Sequence, residues 1–312
     1  MTSTKIRGVL SPVLTPFNAE GAPSTPRFLK HCRSLVEQGV GLAVFGTNSE
    51  ANSLSVKEKR LLLDALVEDG LPVTRMMPGT GCCAVTDSIE LSQHAAELGC
   101  AGVLMLPPFY YKGVSDEGLY RNYATVIDRI GDARLRIYLY HIPQVSQVPI
   151  SLDLIERLLK AYPESIAGIK DSSGDWSNTL AMLQRFQPHG FDVFAGSEGF
   201  LLATLREGGA GCITATGNVN AAEIARLAQT WQNGDADAQQ ERLNVIRGIF
   251  AKYPMIPAMK AAIASETGDT GWSAVRPPLV EMNQDDTKRL MGELSAAGYR
   301  LHNARALAHA DA

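Results

Sequence analysis

Lysine does covalent chemistry only where something frees its amine, and one lysine of this chain stands where that can happen. The run Ala167-Gly168-Ile169-Lys170-Asp171-Ser172-Ser173-Gly174 sets Lys170 at the end of a short apolar segment. A free lysine titrates near about 10.4, so almost none is neutral at pH 7. Burial disfavours the ammonium, and a freed amine attacks a carbonyl to form an imine. The same position also suits a lysine whose stem packs on an apolar rim while its charge reaches water. In Tyr138-Leu139-Tyr140-His141-Ile142-Pro143, strand alternation puts Tyr138 and Tyr140 on one face. Tyr140 is then either a phenol that moves a proton to and from a substrate oxygen or a packed core tyrosine. Gly46-Thr47-Asn48-Ser49-Glu50 gathers a glycine and small polar side chains beside a helix start. Backbone N–H groups and hydroxyls at such a turn suit a carboxylate, and an ordinary polar loop has the same composition.

Other signals are missing. Gly79-Thr80-Gly81 lacks the third glycine and the acidic partner of a dinucleotide fingerprint. His31, His94, His141, His189, His302 and His309 are scattered without an H-E-x-x-H pattern, so no metal is expected, and an imine on Lys170 would itself be the electron sink, so no cofactor is expected either. Cys32, Cys82, Cys83, Cys100 and Cys212 are odd in number and form no C-x-x-C, which predicts buried free thiols in a reducing compartment.

The elements that must position these groups follow a repeat. The 312 residues, 45% of them hydrophobic, suffice for a large core, and the length suits a barrel of about 250 residues plus an extension. Continuous apolar runs at Val9–Pro16, Gly41–Gly46, Val73–Met77, Ala101–Leu106, Arg136–Tyr140, Ile166–Ile169, Val193–Ala195 and Cys212–Thr214 read as strands. They carry little polar alternation, as parallel strands covered by helices do. Amphipathic segments fill the gaps, among them Phe28–Gln38, Val56–Glu68 with Ser55 as N-cap, Ser88–Leu98 and Leu152–Ala161. Eight βα repeats favour an α/β fold, a (β/α)8 TIM barrel over residues 1–220. Ala222–Trp231, Gln239–Lys252, Met259–Glu266 and Asp286–Ala297 then read as a C-terminal helical segment, 221–312, packed on the barrel. Catalytic groups of such barrels lie at the C-terminal ends of strands, where the three runs above stand. A net charge of −4 without like-charge runs is no nucleic-acid footprint. Met1–Gly8 has no signal-peptide pattern, and no apolar stretch approaches the ~20 residues of a membrane span, so a cytoplasmic protein is expected.

Together these stretches resemble the family of N-acetylneuraminate lyase and dihydrodipicolinate synthase over nearly the whole chain. Leu14-Thr15-Pro16-Phe17, Gly46–Glu50, Gly79–Gly81, Pro107-Pro108-Phe109-Tyr110-Tyr111, Tyr140–Pro143, Gly168–Lys170, Met255–Lys260 and Arg276-Pro277-Pro278-Leu279 follow in family order. The resemblance implies that Lys170 is the Schiff-base lysine and Tyr140 the proton shuttle. It gives Thr47 and Asn48 the pyruvate carboxylate, makes Tyr111 an intersubunit relay tyrosine, and packs Ile213 near the pyruvyl group. It also implies a homotetramer built as a dimer of dimers, with pyruvate or another 2-keto acid as substrate. The departures bear on substrate. Val145 stands where the synthases place an arginine for the aldehyde's carboxylate. Gly196-Ser197-Glu198-Gly199 replaces the G-x-D-E run with which neuraminate lyases bind sugar hydroxyls, leaving one carboxylate, Glu198.

Three functions are therefore weighed. The first is a class I, Schiff-base, pyruvate-dependent lyase that cleaves, condenses or dehydrates a 2-keto-3-deoxy acid. The second is 4-hydroxy-tetrahydrodipicolinate synthase, against which Val145 counts. The third is a non-catalytic ligand-binding barrel, against which the presence of Lys170, Tyr140 and Tyr111 counts.

Overall fold

The computed structural model describes residues 5–308. His309 and the first four residues of the Met1–Gly8 reading lie outside the described residues. The chain opens with β1 (Gly8–Ser11), α1 (Thr25–Glu37), β2 (Gly41–Leu42) and α2 (Val56–Glu68). Next come α3 (Val85–Glu97), β3 (Val103–Met105), α4 (Asp116–Ile130), β4 (Ile137–His141), α5 (Pro143–Ser146) and α6 (Leu152–Ala161). They are followed by β5 (Ile166–Asp171), α7 (Trp176–Phe186), β6 (Asp192–Ala195), α8 (Leu201–Arg206) and β7 (Gly211–Ile213). Helices α9 (Ala221–Thr230), α10 (Ala236–Phe250), α11 (Met255–Thr267), α12 (Gln284–Ala296) and α13 (Ala304–Leu307) complete it.

Helices α2 and α6 begin and end where the pattern put them, because both N-termini are capped. Ser55 Oγ accepts from Glu58 N–H at 3.2 Å, and the Glu58 carboxylate accepts from Ser55 N–H at 2.8 Å, a reciprocal capping box. Ser151 Oγ accepts from Leu154 N–H at 3.0 Å. The early strands are shorter than expected. Pro12 follows β1 and cannot donate to a ladder. Phe45, at φ 62°, leaves the extended region within the run expected to continue β2.

The expected third strand, Val73–Met77, is not formed. Val73–Arg75 is a 3-10 turn, and the pairing shrinks to a parallel bridge between Gly79 and Leu104. Pro72 and Pro78 bracket the segment and deprive it of two donors. Seven of the eight expected strands thus form among the described residues, and the bridge at Gly79 lies just beyond the place of the missing one. β4 and β5 each run beyond their expected ends, so Lys170 is the penultimate residue of its strand. No disulfide joins the five cysteines among the described residues, but only Cys32 and Cys212 are buried. Cys82 and Cys100 are partly exposed and Cys83 is exposed, because Cys82 and Cys83 fall in the loop before α3.

Contacts group the chain into two compact units. One comprises the residues up to Arg7 with Pro72–Ile213, the other Gly8–Leu71 with Thr214 onward. In the first unit the strand order is β3-β4-β5-β6-β7 and every pairing is parallel. Every residue of these five strands is buried, as the continuous apolar runs require. Ile137 faces Ile166, but Tyr138 faces Gly168, so Ala167 is an extra residue in β5. Beyond this bulge Leu139 pairs with Ile169, Tyr140 with Lys170 and His141 with Asp171. Gly168 permits it: a Cβ there would lie 2.7 Å from the Tyr138 ring and press on the Asp192 carbonyl.

In the second unit β1 and β2 pair in parallel, and its helices enclose a separate core. Leu14, Val219, Phe250, Met259, Trp272, Leu290, Leu294 and Tyr299 meet there. Among the described residues no helix is long and apolar enough to cross a membrane.

Gly168→Ala should overpack the bulge and destabilise the protein by about 1–3 kcal/mol. Urea unfolding is the measurement, and an unchanged midpoint would show that the Tyr138 slot yields freely.

Candidate active site

Lys170 and Tyr140 are opposite residues of adjacent strands, and their side chains meet. Lys170 is 2% exposed, and its Nζ lies 4.2 Å from the centroid of the equally buried Tyr140 ring. Among the described residues no carboxylate pairs with Lys170. The alternative of a lysine at the rim, its charge in water, is therefore not what the fold holds.

Asp171, next along β5, fixes the loop that follows the lysine. Its carboxylate accepts from Ser173 N–H at 2.9 Å, Ser173 Oγ–H at 3.1 Å, Asn178 Nδ2 at 3.1 Å and Thr179 Oγ1–H at 2.6 Å. Ser172 N–H donates to the His141 carbonyl at 2.7 Å, and Gly196 N–H donates to the Asp171 carbonyl at 2.6 Å. Gln144 Nε2 donates to the Ser172 carbonyl at 2.5 Å. Gly196 must be glycine here, since a Cβ would lie 2.6 Å from Ser172 Cα. The ends of β4, β5 and β6 are thus tied around the lysine. The Asp171 network went unread in the sequence. Its signal is an acid followed at two, seven and eight residues by Ser173, Asn178 and Thr179, a loop and the first turn of α7.

The remaining site residues of this unit are spread around that frame. Glu198 is buried in the turn Glu198–Phe200 after β6, and Ile213 is buried at the end of β7. His141 points its Nδ1 at Ile150 N–H, which donates to it at 3.0 Å. Burial pushes the His141 pKa below its ordinary value, against the pull of Asp171. A ring so held is a poor replacement for a guanidinium, and Val145, 59% exposed, supplies no charge. Tyr111 is 73% exposed and meets Tyr110 edge to face. Lys112 steadies their loop, donating to the Ser146 carbonyl at 2.7 Å and to that of Phe109.

Thr47 and Asn48 belong to the second unit, on the 3-10 turn Thr47–Ser49. Gly46 N–H donates to Ser49 Oγ at 3.1 Å, and Thr15 Oγ1–H to the Ser49 carbonyl at 2.7 Å. Glu50 closes the turn at φ 56° and is fully buried with Lys260, whose Nζ lies 2.5 Å from its carboxylate. The other Glu50 oxygen accepts from Arg276 N–H at 2.9 Å, and Lys260 also donates to the Ala274 carbonyl at 2.7 Å. Burial lowers the Lys260 pKa to about 8, and Glu50 opposes the shift. Arg276 in turn clasps Glu58, whose pKa falls to about 2. Three stretches distant in sequence, Gly46–Glu50, Met255–Lys260 and Arg276–Leu279, are thereby explained as one polar knot. No group of three or more His, Cys, Asp or Glu residues is arranged to hold a metal among the described residues.

Comparison with known proteins adds to this geometry. The family described as the dihydrodipicolinate synthetase family matches residues 5–297. A DapA-like lyase of Chloroflexus aurantiacus is 34% identical over 291 residues, which is 91% of this chain and 94% of the relative. The crystal structure of dihydrodipicolinate synthase from Agrobacterium tumefaciens is 30% identical, with a TM-score of 0.86 over 93% of this chain and 99% of that one. The Escherichia coli K12 protein YagE, solved in complex with pyruvate, is 27% identical, with a TM-score of 0.84 over 94% and 99% of the two chains.

Removing one partner of a buried ion pair strands the other charge, at a cost of about 3–5 kcal/mol. Glu50→Ala should show that loss in urea unfolding, and Glu50→Ala with Lys260→Met should recover much of it. A single variant as stable as the wild type would mean that Lys260 needs no partner.

Proposed function

The chain belongs to the dihydrodipicolinate synthetase family and is a lyase of that family; within it, we propose a pyruvate-dependent enzyme that works through an imine on Lys170. One observation carries the reading: a buried lysine without a salt bridge, 4.2 Å from the ring of a tyrosine on the neighbouring strand. An amine held in that way is not committed to a carboxylate and is placed for attack on a carbonyl. The pyruvate complex of YagE supports a 2-keto acid as the substrate class. The frame is taken as a (β/α)8 barrel with its C-terminal helices.

In this reading Lys170 Nζ attacks C2 of a 2-keto-3-deoxy acid and water leaves, giving an iminium. Thr47 and Asn48 hold the carboxylate, a role that rests on the family resemblance of their turn. Tyr140 takes the proton of the C4 hydroxyl, the C3–C4 electron pair flows into the iminium, and an aldehyde departs. Protonation of the enamine at C3 and hydrolysis release pyruvate and restore the lysine. In dehydration the same iminium gives up a C3 proton, and the C4 hydroxyl leaves in place of the aldehyde. Tyr140 is the group at hand for proton movement in either case. Gly196 and Glu198 are read as lining the distal part of the substrate site, and Ile213 as packing on the pyruvyl group. The exposed Tyr110 and Tyr111 support a homotetramer in which Tyr111 reaches a neighbouring subunit, and the reading keeps the cytoplasm as its compartment.

Borohydride added with pyruvate should fix one reduced pyruvyl group on Lys170 and abolish activity, and Lys170→Arg should take up none. Peptide mass spectrometry decides: an adduct elsewhere, or none at all, would defeat the imine.

Relatives named 4-hydroxy-tetrahydrodipicolinate synthase, one from Desulforamulus reducens at 30% identity, favour the second reading. Val145 opposes it. An arginine fork on a carboxylate forms charge-assisted hydrogen bonds worth roughly 1.5–3 kcal/mol each. With pyruvate and aspartate semialdehyde, kcat/KM should therefore fall about a hundredfold or more below that of a synthase with its arginine. Efficiency equal to such a synthase would make this protein one of them, and a gain in Val145→Arg would locate the deficit.

A further inference from the structure

The C-terminal helices of the second unit line an open cavity of about 370 Å³ that the chemistry above leaves unused. That volume lies within the range of small-ligand sites. Leu243 and Ile246 of α10 and the Tyr299 ring form its apolar wall. Arg242 and Arg300 also line it, and among the described residues neither pairs with a carboxylate. Arg300 spends one N–H on the Tyr299 carbonyl, at 2.8 Å. The acid on the wall, Glu223, is engaged by Arg226 at 2.5 Å and lies 3.8 Å from His302.

Asn220 is a second and independent sign. It is 4% exposed, it lines the cavity, and its side-chain amide has no hydrogen-bond partner among the described residues. Its amide faces the cavity that it lines, so a ligand there is in place to bond it. Two exposed guanidinium groups without a paired carboxylate among the described residues add forks for an oxyanion.

We propose that this cavity binds a small organic anion, with a carboxylate or phosphate on Arg242 and Arg300, an apolar body on Leu243, Ile246 and Tyr299, and a polar atom on the Asn220 amide. The site needs neither Lys170 nor the imine, so it stands or falls apart from the proposed reaction.

Calorimetric titration of the whole protein with phenyl phosphate, benzoate and inorganic phosphate tests it. Phenyl phosphate or benzoate should bind with a submillimolar Kd, and inorganic phosphate, without an apolar body, at least tenfold more weakly. Arg242→Gln with Arg300→Gln should raise the Kd by at least tenfold at an unchanged melting temperature, whereas Lys170→Arg should leave it as in the wild type. The tighter of the first two probes names the oxyanion. Absence of binding at 10 mM (about tenfold above the expected range), or a Kd untouched by the double substitution, overturns the proposal. If that double variant melts early, Asn220→Leu replaces it and must weaken binding.

Discussion

One residue of register decides what stands beside Lys170. Had β5 continued from Ile166 without a bulge, Tyr140 would face Ile169, and the lysine would point to the other side of the sheet. The extra residue at Ala167 shifts every later pair by one. It is stable because Tyr138, across from it, finds a glycine at 168 instead of a side chain. Tyr138 then anchors its hydroxyl on Asp192 at 3.3 Å, and Arg7 holds the other oxygen of that carboxylate. The lower half of the β4–β5–β6 ladder thus fixes the upper half, where the amine and the phenol meet. Bulges beside reactive groups commonly act this way, re-aiming a side chain at small cost to the sheet.

The two fully buried lysines show how one fold treats the same side chain in two ways. Lys260 is wrapped by Glu50 and the Ala274 carbonyl, so its charge is compensated and its role is to join distant segments of the second unit. Lys170 has an aromatic face and, among the described residues, no carboxylate. A salt-bridged nitrogen is committed to its partner, while one without such a partner is left for other bonds. The carboxylate next to Lys170 in the strand is instead spent on the loop that follows. Asp171 consumes four donors in shaping the loop after β5, and none of them is the lysine.

The departures from the wider family pattern fit this division. His141 keeps a backbone-fastening duty toward Ile150 and Val145 is apolar, so neither position offers a guanidinium.

Much of this was legible in the sequence, because parallel strands buried on both faces must be continuous apolar runs and helices must announce their caps. The α/β class, the helix bounds at Ser55 and Ser151, and the candidacy of Lys170, Tyr140 and the Gly46–Glu50 turn are local facts of that kind. The third strand was misread because an apolar run does not reveal that flanking prolines remove its donors. The bulge at Ala167, the Glu50–Lys260–Arg276 knot and the Asp171 network were invisible for a different reason. Each joins atoms whose nearness is set by how strands and helices pack, and no one-dimensional pattern carries register or burial. Residue types told which groups could react, and tertiary structure alone decided that Lys170 is buried against a ring and Lys260 against a carboxylate.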